Sequence, residues 1–278
     1  MKNFKLSMLV MLSAIAMTFT SCLGDGDNTQ YVMGTGTVSS SSAVLLDNGL
    51  TIKSSVWGNT AVGDRIYVYA SVPGDEYEAA IANLQAGKSA SVNLANLYQA
   101  GVCIEGDLEE PTDFDQTLAD ETVSEMESLS WLSYGSFGNG YMNFSIKAEW
   151  YAKTADNTTT NVKPNITLMV KNFDATAKKL ELVVVYDNRK AECVDAEGKV
   201  DETKGYKIVS GGELPVSVDV TDLYYEMKSA NLADEDKIDL SIKYVENEDR
   251  NISVDELTGT LGTGTNYCTV GMFKRTVY

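Results

Sequence analysis

Carboxylates are the most numerous side chains in this sequence that could take part in catalysis. The 278 residues include 40 Asp and Glu against 22 Lys and Arg, so the formal charge is -18 and the pI about 4.3. Two carboxylates at the right separation are enough for glycoside hydrolysis. No pair stands out among forty, so a carboxylate-pair glycosidase ranks below a binding protein, and we assign no catalytic residue.

The side chains that usually activate a nucleophile are missing. The sequence contains no histidine, which excludes Ser-His-Asp and Cys-His systems and His-ligated zinc. No serine lies in a G-x-S-x-G elbow, and none has a lysine three residues later. The excess of acids also disfavours nucleic acid as a partner. We therefore expect a protein that is not an enzyme and has no cofactor, no metal and no nucleic-acid partner.

Two tryptophans are candidate ligand contacts. Trp57 stands beside Gly58 in a predicted loop, and Trp131 precedes a glycine-rich turn. Either ring could offer a flat face to a sugar or to a protein partner. Burial at a barrel mouth or at a sandwich edge is the alternative for both and is somewhat favoured. Trp150 belongs to the core by alternation.

The cysteines beyond the leader are widely spaced. Cys103, Cys193 and Cys268 form no C-x-x-C pair and are odd in number. The sequence permits at most one disulfide among them, and burial as free thiols is favoured for at least one.

The N-terminus predicts a lipid anchor. Lys2 and Lys5 precede an apolar run from Leu6 to Phe19, in which eleven of fourteen residues are apolar, and Thr20-Ser21-Cys22 follows. The run is short for a membrane span, which needs about 20 residues. Phe19-Thr20-Ser21-Cys22 resembles a bacterial lipobox, so we predict a signal peptide over 1–21 and lipid attachment at Cys22. A plain signal peptide with an ordinary thiol at Cys22 is the alternative.

A flexible tether is expected over residues 22–30. Asp25 and Asp27 resemble the surface-export signal of Bacteroides-type lipoproteins, although Gly26 separates them. The expected location is the outer membrane, on the cell surface or the periplasmic face, with the membrane as one partner through the anchor.

The first half of the mature chain predicts a small β-barrel. Asp47-Asn48-Gly49 between two apolar runs predicts a hairpin over 44–52. Arg65 to Val72 alternates, with Arg65 and the tyrosines at 67 and 69 on the face opposite the apolar residues. A further strand is predicted over 91–99 and a short helix over 76–87.

An acidic stretch follows the barrel. Residues 105–127 contain ten acids and no basic residue, which indicates a solvated linker. A calcium site is the less favoured alternative, because Asp113-Phe-Asp115 begins no EF-hand series.

The second half predicts an antiparallel, Ig-like β-sandwich. Alternating runs cover residues 142–150, 166–170, 180–186, 216–220 and 238–244, and 221–229 can form a helix. The expected fold class is therefore mostly β.

Several stretches together resemble the NigD-like lipoproteins of Bacteroides-type bacteria over about residues 31–258. The resemblance rests on the leader, on the hairpin entry with Gly36-Thr37-Val38 and Asn48-Gly49, and on Val62-Gly63-Asp64-Arg65-Ile66. It rests above all on Trp131 followed by Gly138-Asn139-Gly140-Tyr141-Met142-Asn143-Phe144. It implies an OB-like barrel (31–104) before the β-sandwich (131–258), with the acidic linker (105–130) between them. Residues 259–278 form a C-terminal segment that can supply a last strand. The resemblance implies no activity.

The function expected from the sequence is binding or assembly at the cell envelope by a lipid-anchored protein. The partner is a protein or a glycan, and a glycan-binding or glycan-processing accessory is the alternative function. Exposed coplanar aromatic rings would favour glycan, whereas an apolar patch or a free strand edge would favour protein.

Overall fold

The computed structural model describes residues 28–110, 126–132, 136–155, 158–188, 190–244, 259–260 and 266–275. Across these ranges the protein is mostly β, as the alternating runs predict. The described strands form sheets of six, ten and three strands. We call residues 28–103 the first lobe and the described residues from 104 onward the second lobe.

The six-stranded sheet builds the first lobe. Its strands and the helix that follows the fourth of them are β1 (Thr29–Ser40), β2 (Ala43–Leu46), β3 (Leu50–Lys53), β4 (Arg65–Pro73), α1 (Gly74–Gln85), β5 (Ala90–Asn93) and β6 (Asn96–Val102). The strand order is β5-β3-β2-β1-β4-β6, and only the β3–β5 pair is parallel among these. The sheet curls as an open half-barrel around one apolar core.

Local sequence explains the turns of this lobe. The predicted hairpin forms, with Val44 opposite Ile52. Gly49 takes a φ of 91°, which favours glycine, and the Asn48 side chain accepts a hydrogen bond from the Leu50 N–H. The predicted strand over 91–99 is instead two strands, β5 and β6, because the chain turns after Asn93.

The ten-stranded sheet dominates the second lobe. Its strands are β7 (Ile104–Glu109), β8 (Ser128–Trp131), β9 (Phe137–Gly138), β10 (Tyr141–Lys147), β13 (Asn165–Asp174), β14 (Lys179–Asp187), β16 (Glu213–Asp219), β17 (Lys237–Tyr244), β18 (Gly259–Thr260) and β19 (Asn266–Thr269). The smaller sheet has β11 (Trp150–Ala155), β12 (Thr158–Asn161) and β15 (Tyr206–Val209), and helix α2 (Thr221–Ser229) follows β16. Strands β18 and β19 both pair with β17, so the C-terminal segment adds strands to this sheet.

The two halves of the ten-stranded sheet share one core. The main path runs β18-β17-β14-β13-β7-β16-β10-β8, and its end strands β18 and β8 approach each other. Inward residues of β10 and β16, such as Phe144 and Val216, belong to the same apolar cluster as Leu168, Leu182 and Ile242 of the other half. The sheet therefore folds over on itself. It is mixed rather than antiparallel, because β7 runs parallel to both β13 and β16, and β14 runs parallel to β17.

The prediction of a solvated linker from residue 105 is wrong for its described parts. Residues 104–109 form β7, which lies between β13 and β16 near the middle of the sheet. The acids Glu105, Asp107 and Glu109 are exposed, while Ile104 and Leu108 pack against the core. At the far end, Met126 is fully buried and β8 begins at Ser128. The alternating pattern of β7 is hard to recognise in this acidic run, because only two large apolar residues, Ile104 and Leu108, mark its buried face. Residues 111–125, and with them the Asp113–Asp115 alternative, lie outside the described residues.

Smaller boundaries also differ from the predictions. Strand β1 begins at Thr29, so the last two residues of the predicted tether belong to the sheet. The predicted strand over 142–150 is divided between β10 and β11, and Trp150 is buried as predicted. The helix predicted over 76–87 begins earlier, directly after Pro73. Pro73 precedes the helix in an extended conformation, with φ -60° and ψ 133°, where its missing N–H removes no helical hydrogen bond.

Candidate functional site

Three tyrosines form a cluster on the outer surface of the first lobe. Tyr31 of β1, Tyr69 of β4 and Tyr98 of β6 come from three adjacent strands. The ring centroids of Tyr69 and Tyr98 are 5.1 Å apart, those of Tyr31 and Tyr98 5.7 Å, and those of Tyr31 and Tyr69 6.1 Å. We call this cluster, together with Met33 of β1, the tyrosine face.

Strand register explains why these rings meet. Met33 lies opposite Tyr69, and Tyr69 lies opposite Gln99, so the outward positions of the three strands are aligned. The register between β4 and β6 shifts by one residue at this point, and Tyr98 is the extra residue. A bulge of this kind re-aims a side chain, and here the Tyr98 ring is directed towards Tyr31 and Tyr69.

The neighbouring Tyr67 depends on a glycine of the adjacent strand. Its ring lies over Gly101, where a Cβ atom would stand 2.5 Å from the ring. Any larger residue at position 101 would displace the tyrosine ring. Because position 101 is glycine, the Tyr67 ring can lie there and extend the aromatic surface along β4.

The tyrosine face is exposed at Tyr98 and Met33 and half-buried at Tyr31 and Tyr69, and it carries no formal charge. Tyr98 is 50% exposed and Met33 37%, and no acidic or basic residue stands in β1 or β6. Ser71 is buried beneath the face and accepts hydrogen bonds from the Asn96 amide at 3.3 Å and the Tyr98 hydroxyl at 3.4 Å. A hydrogen bond and the charge of the neighbouring Tyr98 phenol raise the pKa of Tyr31, so its hydroxyl stays neutral at physiological pH. The face offers apolar contact and neutral hydrogen-bonding groups.

The candidate contact Trp57 requires a correction. It lies in a short 3-10 helix, Ser55–Asn59, and its side chain is 2% exposed within the first core. Packing therefore covers the flat face that a ligand would need. Trp131 is half-buried at the end of β8, with its ring centroid 5.1 Å from that of Phe137, which in turn contacts Phe273. Trp131 is thus part of an aromatic cluster that packs against the second core, and its role as a contact stays a prediction. Cys22 lies outside the described residues.

A buried polar network joins the two lobes. Arg65 of β4 is 1% exposed and forms an ion pair with Asp47. Its Nε atom donates to the Ser217 hydroxyl at 2.9 Å, and its guanidinium carbon lies 3.7 Å from the centre of the Tyr141 ring. Asn143 accepts from Ser217 at 2.7 Å and donates to Asp47 at 3.1 Å. Alternation placed Arg65 on the outer face, and the second lobe covers that position.

The junction brings together two of the stretches on which the resemblance rests, residues 62–66 and 131–144. Arg65 comes from the first stretch, and Tyr141 and Asn143 come from the second. Gly138, also in the second, packs so closely that a Cβ there would stand 2.6 Å from the Asp47 Cβ. These motif residues therefore hold the lobes together, which explains their types without invoking a ligand.

An acidic cleft lies beside helix α2. It has a volume of about 400 Å³ and is lined by Leu108, Glu109, Glu110, Val170, Asp222, Leu223 and Glu226. Burial, and then the nearby Glu110 carboxylate, raise the pKa of Glu226. Within the described ranges no group of three or more Cys, Asp or Glu side chains is arranged to hold a metal ion.

The three cysteines beyond the leader are free and buried. Burial raises the pKa of Cys103 to about 12 and that of Cys268 to about 12, and it also raises the pKa of Cys193. Thiols protonated in this way are poor nucleophiles.

None of the helices in the described part of the chain has the length and apolar character to span a bilayer.

No protein-family model matches this chain, and no curated protein is similar enough to count as a match. Three solved structures have a weak similarity to this chain. A protein from Bacteroides fragilis that is provisionally described as a lipoprotein is 15% identical with a TM-score of 0.49, covering 83% of this chain and 94% of that one. An uncharacterized protein from Parabacteroides merdae is 14% identical with a TM-score of 0.46, covering 87% and 98%. A protein of unknown function from Bacteroides vulgatus is 14% identical with a TM-score of 0.38, covering 78% and 84%. Similarity at this level identifies neither a family nor an activity.

Proposed function

We propose that this chain is a lipid-anchored protein of the cell envelope, of NigD-like type, that binds another protein through the tyrosine face without catalysing a reaction. The lipobox-like Phe19-Thr20-Ser21-Cys22 supports the anchor. The missing histidine and the protonated, buried cysteines support a role without nucleophilic chemistry.

The observation that carries the binding role is an exposed aromatic surface without charge on a chain of formal charge -18. Tyrosine supplies a large contact area at low cost in side-chain entropy and keeps a hydroxyl for hydrogen bonding. Exposed apolar surface of this kind marks a site of interaction on many soluble proteins. The partner's matching surface is expected to be apolar and free of acidic residues, because the rest of this chain repels acids.

Ring geometry favours a protein over a glycan. The planes of the three rings are inclined to one another by 31–38°, so they form a rounded cluster and not the flat platform on which a sugar ring stacks. The exposed edge strand beside them is the second feature expected of a protein-binding surface.

The test compares two exposed tyrosines in the full chain. Tyr98→Ser removes the most exposed ring of the face, and Tyr225→Ser removes a ring on α2 that is 61% exposed. Crosslinking in intact cells, followed by mass spectrometry, should identify a partner that Tyr98→Ser loses and Tyr225→Ser keeps. Equal loss in both variants, or no loss in either, contradicts the proposed face.

Two parallel assays address the glycan alternative and the anchor. If the protein binds envelope glycans and Tyr98→Ser abolishes that binding, a glycan takes the place of the protein as the proposed partner. If the protein hydrolyses a glycoside and the activity depends on one Asp or Glu, the non-enzymatic role is overturned. Cys22→Ala should release the protein from the membrane fraction, and unchanged membrane association contradicts the anchor.

A further inference from the structure

We infer that strand β6 binds its partner by strand addition: an extended segment of the partner protein pairs with the outer edge of β6. This inference rests on the proposed binding function and specifies how the partner is held. The experiments below separate the two.

Strand β6 is an edge of the first sheet. It pairs with β4 on one side, and no described strand pairs with it on the other. Six of its seven residues are exposed and the seventh is half-buried. The strand is therefore largely exposed to solvent.

The direction of the outer backbone groups follows from one hydrogen bond. The Cys103 N–H donates to the Arg65 carbonyl at 2.8 Å, so the backbone N–H of Cys103 points towards β4. Neighbouring residues of an antiparallel strand alternate in the direction of their backbone groups. Val102 and Ala100 consequently direct their N–H and C=O groups away from β4, in the positions that an added strand requires.

The side chains of β6 prolong an apolar surface. Leu97, Ala100 and Val102 lie opposite the buried residues Ala70, Val68 and Ile66 of β4, and facing residues of paired strands share one side of the sheet. Leu97 and Val102 are nevertheless 39% and 43% exposed. These two side chains lie on the core side of the sheet but are not covered by other residues of the core. An added strand would bury part of their exposed surface.

Strand β6 has one usual protection of an edge, the Tyr98 bulge, but it lacks the others. Natural edge strands are blunted by lysine, proline or inward charges, and the sequence Asn96–Val102 has no proline and no charged residue. The Tyr98 bulge disturbs only its first half, so residues 99–102 keep regular pairing geometry.

The negative charge of this protein indicates what kind of segment binds the edge of β6. The chain leads from β6 to the exposed carboxylates of Glu105 and Asp107, and the whole protein is strongly acidic. A second copy would bring the same acids together. We therefore assign the edge to a segment of another protein with alternating apolar residues and a lysine or arginine near its end.

The probe is a capped octapeptide of alternating threonine and valine with lysine at both ends, added to the full chain in detergent. Hydrogen–deuterium exchange, read by mass spectrometry, should slow by about tenfold or more over 96–102 at saturation. The exposed strand β12 (Thr158–Asn161) should be unchanged. The same peptide with glutamate at both ends should bind at least about tenfold more weakly.

Two matched variants test the backbone contact. Ala100→Pro removes an outward N–H, which an edge strand tolerates, and should abolish peptide binding, whereas Ala100→Val keeps the N–H and should retain it. Equal melting temperatures show that both variants fold. If Ala100→Pro unfolds, the octapeptide with N-methyl groups on alternate amides replaces it, and that peptide should not bind.

Three results would overturn strand addition. The first is peptide binding that survives Ala100→Pro or N-methylation. The second is a dimer in sedimentation that Ala100→Pro dissociates, which makes a second copy the occupant. The third is a cellular partner that Tyr98→Ser loses and Ala100→Pro keeps. That result would support the proposed function but show that the edge of β6 is not where the partner binds.

Discussion

Arg65 and Asp47 form a two-point ion pair in the junction between the lobes. The Nη1 and Nη2 atoms of Arg65 each lie 2.7 Å from a different carboxylate oxygen of Asp47. The Arg65 and Asp47 side chains are 1% and 8% exposed. Both charges are therefore removed from water, and each depends on the other and on the polar groups of the second lobe.

Replacing Arg65 should destabilise the whole protein. Arg65→Met leaves the Asp47 carboxylate buried without its counter-ion, which typically costs about 3–5 kcal/mol. Urea denaturation followed by tryptophan fluorescence measures the loss. Lys147→Met is the control, because it breaks an exposed pair with Glu127 and should cost less than about 1 kcal/mol. Equal costs for the two variants would contradict the buried pair.

Removing both members of the pair should cost less than the sum of the single changes. In Arg65→Met with Asp47→Leu no charge remains buried alone, so the double-mutant cycle should give a coupling energy of about 1 kcal/mol or more. Asn143 and Ser217 would still lose partners, so recovery should be partial. A coupling energy near zero in the urea curves would show that the two side chains act independently.

The sequence predicts most strands of this fold but not the way they combine. Alternation in β4, β10 and β17 identifies the buried faces, and Asn48-Gly49 identifies a hairpin. Alternation cannot show that Arg65 is covered by a lobe that begins about 40 residues later, because burial at a junction depends on tertiary contact. The same limit applies to Glu105, whose strand has its neighbours far along the chain.

Thiol labelling should reveal both the burial of the cysteines and the state of Cys22. Cys103, Cys193 and Cys268 should not react with an aromatic disulfide reagent at pH 8 in the native protein, because burial raises their thiol pKa. In urea all three should react. A lipidated Cys22 adds no free thiol, whereas a plain cleavage that retains it adds one thiol that reacts rapidly without urea.

A fast native thiol in the Cys22→Ala variant would identify one of the other three cysteines as accessible. That result would contradict their burial.

A cut just after β7, inside the second lobe, should not separate the chain into two independent fragments. With a specific protease site inserted within residues 111–125, the first fragment still carries β7, which pairs with β13 and β16 of the second fragment. The nicked protein should therefore elute as one species in native size-exclusion chromatography and as two in urea. Two folded fragments that separate without urea would instead indicate independent domains.

Asp201 should contribute to stability except in strong acid. Hydrogen bonds from Lys204 and Thr203 lower the pKa of Asp201 from its usual 3.8 to about 2. A lowered pKa stabilises the folded state above the usual pKa, and the contribution is lost as the pH falls through about 2. The stability difference between wild type and Asp201→Asn should shrink as the pH falls from 5 towards 2. A difference that is constant over that interval would contradict the shift, which carboxyl NMR can measure directly.

The tyrosine face could be predicted only in part. Alternation in β4 places Tyr67 and Tyr69 outward, but Tyr31 and Tyr98 join them through strand pairing and a bulge. No periodic signal marks a one-residue bulge. Trp57 shows the opposite error. A tryptophan beside a glycine in a predicted loop is typical of a binding site, but this side chain is buried in the core.

The position of β7 affects the order in which the protein can fold. Its partners β13 and β16 begin 61 and 109 positions after Ile104, so these contacts require closure of long loops before they contribute any stability. Such non-local pairing is slow compared with helices and hairpins. The first lobe can assemble while the chain is still being made, but the central strand of the second sheet must wait for the last third of the protein. One edge of β7 stays open to incorrect partners until β13 has been made and the other until β16 has been made, so the nascent chain is most prone to aggregation during that interval.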